Sequence, residues 1–103
     1  MEKWFINTLK KVMAHNDYEE YWLTAKECDK VGKWTPCDLI AREYLNNGCG
    51  SAKGFLGITP NTCLKAYKYM CEIKKELIDS DYISIDAWNN SSFMLWTDYN
   101  FDR

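Results

Sequence analysis

The chain has 103 residues, a formal net charge of -2 and 47% hydrophobic residues, enough for one domain, residues 1–103, with a single core. It has no run of eighteen apolar residues to span a membrane, and the opening Met1-Glu-Lys-Trp-Phe5 lacks the basic-then-apolar plan of a signal peptide, so a cytoplasmic protein is expected. Its five cysteines, Cys28, Cys37, Cys49, Cys63 and Cys71, contain no C-x-x-C pair, which argues against a zinc or redox site and reads as free thiols packed as small hydrophobes.

From Glu2 to Ala14 the apolar positions Phe5, Ile6, Leu9, Val12 and Met13 follow helical spacing and predict an amphipathic first helix. Two capping boxes follow, Asp17-Tyr-Glu-Glu20 and Thr24-Ala-Lys-Glu27. The first would open a helix with Tyr18, Tyr21, Trp22 and Ala25 on one face. Both start signals are valid, so residues 17–31 form either one helix or two. Thr35-Pro36 starts a helix with Cys37, Ile40, Ala41, Tyr44 and Leu45 inward, Asp38 and Arg42 one turn apart, and a stop at Asn46-Asn47-Gly48. Cys49-Gly50-Ser51-Ala52-Lys53-Gly54 lacks the spacing of a phosphate-binding loop and reads as a tight connection between helices.

Thr59-Pro60 opens the best-signalled helix, about 60–78, in which Cys63, Ala66, Met70, Ile73 and Leu77 recur at steps of three and four. This helix is expected at the centre. Beyond Asp79, Tyr82-Ile-Ser-Ile-Asp-Ala-Trp88 alternates, Asn89-Asn-Ser-Ser92 is turn chemistry, and Phe93-Met-Leu-Trp-Thr97 is β-prone, which predicts a small C-terminal hairpin. The fold class expected is therefore α+β, mainly α, with four to five short helices around the central one.

No catalytic or ligand motif stands out. The one histidine, His15, falls at a helix end, and Asp79, Asp81 and Asp86 lack the frame of a calcium loop, so no enzyme activity, cofactor or metal is expected. Charge is uneven: residues 49–78 carry five basic against two acidic side chains, and residues 79–103 carry one against five. Acidic and aromatic side chains together suit a basic protein partner that itself holds nucleic acid. The candidate partner-binding residues are Asp79, Asp81, Tyr82, Asp86, Trp88, Trp96, Asp98, Tyr99 and Asp102.

Two resemblances bear on function. Thr24-Ala-Lys26, Gly32, Thr35-Pro36, Leu39, Ala41, Tyr44 and Ser51-Ala-Lys53, Gly57, Thr59-Pro60, Leu64, Ala66, Tyr69 each resemble the turn and second helix of a helix-turn-helix, which would imply DNA binding over residues 51–75 with Lys65 and Lys68 toward phosphate. Asp38 in the first copy and Gly54 in the second depart from that pattern, and direct nucleic-acid binding is not expected. As a type, a small acidic chain rich in aromatics and free cysteine, with Ser-Ala-Lys-Gly-Phe-Leu-Gly-Ile-Thr-Pro-Asn-Thr at its centre, is similar to phage- and mobile-element-encoded anti-CRISPR inhibitors. That resemblance implies a non-enzymatic inhibitor that binds a CRISPR effector nuclease in the host bacterial cytoplasm; the class shares no motif, so it assigns no residue.

Overall fold

A computed structural model describes residues 1–83. Six helices follow one another: α1 (Lys3–His15), α2 (Ala25–Lys30), α3 (Pro36–Asn47), α4 (Ala52–Leu56), α5 (Pro60–Glu72) and α6 (Lys74–Asp79). Among the described residues there is no strand, so the α+β expectation is corrected to a helical fold. Of the segment on which a hairpin was expected, Tyr82 and Ile83 are not strand, and the remainder lies outside the described residues.

Each of α1, α3, α4 and α5 packs on the other three, while α6 leans on α5. The core is what the periodicities imply. Phe5, Leu9 and Val12 of α1, Cys37, Ile40 and Ala41 of α3, Ala52 and Leu56 of α4, and Cys63, Ala66, Tyr67 and Met70 of α5 form one buried cluster. Two tyrosines close it, with the Tyr44 and Tyr67 rings stacked at 4.0 Å between centroids.

Helix starts at the two Thr-Pro pairs come out as read. The Thr35 hydroxyl accepts from the Asp38 N–H and the Thr59 hydroxyl from the Thr62 N–H, both at 3.1 Å, with Pro36 and Pro60 at the first helical position. Gly48 closes α3 in the left-handed region at φ 56°.

Three expectations are corrected. Residues 49–54 are not wholly a loop, because α4 begins at Ala52. The turn before it is fixed by the buried Glu43 carboxylate, which accepts from the Ser51 N–H at 3.0 Å and the Asn47 side-chain amide at 3.2 Å. The single helix expected over 60–78 breaks at Ile73, whose φ of -109° and ψ of 25° leave the helical basin. Past the break Leu77 is fully buried and Glu76 pairs with the Met1 amine at 3.2 Å. Finally, the Asp17 box opens no helix. Asp17 takes φ 58° and the Tyr18 N–H bonds back to the Met13 carbonyl at 2.8 Å, which folds the chain off the end of α1 and leaves Thr24 as the cap of α2.

Candidate functional site

The α1–α2 connector, residues 16–24, is the longest described link between helices and carries Asp17-Tyr-Glu-Glu-Tyr-Trp22. Its base is anchored: the Asn16 side-chain amide donates to the Val12 carbonyl at 2.8 Å and to the Phe55 carbonyl at 3.2 Å. From there the aromatic rings run outward in contact. Tyr18 meets Trp22 edge-on at 5.8 Å, and Trp22 meets Tyr21 at 6.1 Å, also edge-on. The Tyr18 hydroxyl donates to the Trp34 carbonyl at 2.6 Å, and the Arg42 guanidinium lies over the Trp34 ring at 5.0 Å. The Arg42 set one turn from Asp38 in the sequence thus has its guanidinium on an indole face.

Tyr21 ends this band 63% exposed, and Trp34 is also exposed. Asp17, Glu19 and Glu20 stand exposed beside it, with no ion-pair partner among the described residues. Tyr18, by contrast, is partly inside; burial and the neighbouring Cys28 push its phenol up to about 12. Of the connector's three rings, Tyr18 and Trp22 are therefore half-buried and Tyr21 is presented to solvent.

Of the candidate residues in the last quarter, three are described. Asp79 lies at the end of α6, its carboxylate 3.1 Å from the Lys75 ammonium in an exposed i,i+4 pair. Asp81, at φ 61°, is bound to α2: its carbonyl accepts from the Ala25 N–H at 2.7 Å and its carboxylate from the Lys26 N–H at 3.0 Å. Those are orphan donors of a helix start, so Asp81 supplements the long 3.4 Å cap of Thr24. Tyr82 is half-buried, and desolvation raises its phenol. Asp86, Trp88, Trp96, Asp98, Tyr99 and Asp102 lie outside the described residues.

Asp81 ties the segment after α6 to the start of α2, which directly follows the connector. The sequence reading missed the connector as a candidate surface because Asp17 and Glu20 were accounted for as a capping box. The usable signal was compositional: residues 17–22 have the same acidic and aromatic character that marked residues 79–102.

The thiols point elsewhere. Cys28, Cys37, Cys49 and Cys63 are buried and Cys71 half-buried. Desolvation pushes Cys28 up to about 12 and Cys71 up to about 11, and holds Cys37 well above the usual thiol range. Cys49 and Cys63 hydrogen-bond to each other, which with burial raises Cys63. No group of three or more metal-ligating side chains comes together among the described residues. His15 lends its Nε2 to the Gly54 carbonyl at 3.0 Å and packs where a side chain on Gly57 would stand. No described helix is long and apolar enough to cross a membrane. No protein family, curated protein or solved structure matches the chain.

Proposed function

We propose that the protein is a non-enzymatic inhibitor that binds a basic, nucleic-acid-handling host complex of the CRISPR effector type, and that the acidic aromatic connector is its described contact surface. The observation that carries this reading is the exposed Tyr21 at the end of a ring-on-ring band, beside three carboxylates without ion-pair partners among the described residues. Rings supply the apolar anchors that dominate interface energy, and unpaired carboxylates attract the Lys and Arg that would otherwise hold phosphate. The acidic residues of the last quarter have the same character in sequence, and one of them, Asp81, is bound to the start of α2, directly after the connector. The partner class rests on the resemblance of type together with this charge.

The test uses purified effector complexes cleaving labelled target DNA with increasing amounts of the protein. Inhibition that saturates near one inhibitor per complex supports the reading. Inhibition at far below one per complex would mean turnover, and no inhibition or binding across effector types would remove the proposed partner.

A DNA-binding regulator is the second reading. One observation favours it: α4, a turn with Gly57 at φ 74°, and α5 follow one another as in a helix-turn-helix. Yet α4 has only five residues, and the Lys65 ammonium lies 4.1 Å from the centre of the Trp4 ring. A gel shift with random duplex at low salt decides it, because phosphate-driven binding appears there and fades as salt rises.

A further inference from the structure

Beside the connector, between it and α1, runs a groove of about 440 Å³ lined by Ile6, Lys10, Met13, Ala14, Tyr18, Glu20 and Leu23. That volume is in the range of about 300–1,000 Å³ over which proteins take up ligands. Its apolar wall is made of Ile6, Met13, Ala14 and Leu23, and the Tyr18 hydroxyl is already committed to the Trp34 carbonyl. A small polar ligand would find few groups there to orient it. An apolar side chain needs none.

The charged residues of the lining are Lys10 from α1 and Glu20 from the connector, and the exposed Asp17 and Glu19 precede Glu20 on the same connector without lining the groove. Glu20 and Lys10 balance within the lining, while the connector edge beyond it adds the exposed carboxylates of Asp17 and Glu19, so the connector side of the groove favours a cationic group, and an apolar wall with a charged edge is the usual anatomy of a protein interface. We propose that this groove seats a basic amphipathic segment of a protein partner, with an apolar side chain on Ile6, Met13 and Leu23 and a Lys or Arg of the same segment on Glu19 and Glu20. The inference rests on the connector being the contact surface, and adds what the surface selects. A segment that a nucleic-acid-binding protein uses for phosphate has the right charge, and the apolar anchor separates this site from a general attraction for cations.

The probes are three fluorescent synthetic peptides of equal length. One carries Lys with Leu and Trp at helical spacing, the second has Glu for every Lys, and the third has Ser for every Leu and Trp. Anisotropy titrations should show the first binding at least about tenfold more tightly than either of the others, a difference of about 1.4 kcal/mol or more. Ala14→Trp, at an exposed position of α1 that lines the groove, should weaken the first peptide at least about tenfold, and so should Glu19→Lys with Glu20→Lys. Lys10→Glu should tighten it.

Equal binding of the Glu peptide or the Ser peptide overturns the inference, as does Ala14→Trp binding unchanged with an unchanged melting temperature. The charge-reversed pair keeps the test sound if Ala14→Trp disturbs α1. An effector complex still inhibited by Ala14→Trp but not by Tyr21→Ala would also overturn the role of the groove while leaving the connector as the contact surface. If the peptides discriminate as expected and no effector is inhibited, the groove's selectivity stands and the partner class falls.

Discussion

Two aromatic groups in this protein have the same chemistry and opposite placement. Trp4, Phe5 and Tyr69 join α1 to α5, with Phe5 and Tyr69 at 5.0 Å and Trp4 and Tyr69 at 5.2 Å; the Tyr69 hydroxyl accepts from the Glu2 N–H, and Lys65 covers the Trp4 face. Tyr18, Tyr21, Trp22 and Trp34 are also in contact, yet the chain end of that group faces water at Tyr21. The difference is backbone. Rings on a helix inherit its period and meet the neighbouring helix, whereas rings on an irregular connector are aimed one at a time, so those left outward are the ones available to a partner.

The strongest way to break that contrast is in the packed group. Phe5→Ala should cost about 3–5 kcal/mol in urea unfolding, the range for emptying a buried phenylalanine site. A loss below about 1 kcal/mol would mean that the α1–α5 nest is not core.

Within the second group Tyr18 and Trp22 are half-buried, and at Tyr18 the contrast can be sharpened. Tyr18→Phe should cost about 1 kcal/mol, by loss of the hydrogen bond to the Trp34 carbonyl. It also bears on pH. The folded chain holds the protons of Tyr18 and Cys28 up to about pH 12, above their ordinary values of 10.0 and 9.0. Above pH 9 the unfolded chain therefore gives up protons that the folded one keeps, and stability falls as pH rises toward 12. Thermal melts at increasing alkaline pH should show a falling midpoint, less steep in Tyr18→Phe. A midpoint independent of pH would contradict the burial of these groups.

Asp81→Ala should also cost about 1 kcal/mol, since it removes one acceptor from the start of α2 and places Ala in the left-handed region. Asp81→Asn keeps an acceptor and tolerates that backbone, so it should lose less than Ala. The smallest effect is expected at Tyr21, where Ala should change stability by no more than about 0.5 kcal/mol.

These cases also show what could be read from the residues. Thr35-Pro36 and Thr59-Pro60 announce α3 and α5 because a cap is a contact three residues long, and the inward faces of α1, α3 and α5 follow from spacing alone. The break at Ile73 carried no glycine or proline to mark it. Asp17 and Thr24 were equally good starts for a helix, and the choice fell to a bond from Asp81, 55 residues away from Lys26. For the same reason Asp81 read as part of an acidic edge when it is a cap. Cys49 and Cys63 lie too far apart in sequence to suggest the pair that the α3–α4 turn and α5 create. Tertiary contacts made these decisions, and neither spacing nor propensity contains them.

The central claim is that the outward ring of Tyr21 and the carboxylates of the connector are for binding. It is tested most directly by titrating the wild type and the Glu19→Lys, Glu20→Lys, Tyr21→Ala triple variant against an effector complex that the wild type inhibits. We predict that the variant melts within a few degrees of the wild type and binds at least about a hundredfold more weakly, about 2.7 kcal/mol, as expected when an aromatic anchor and its charge partners are lost together. Equal affinity of the two proteins would contradict the account.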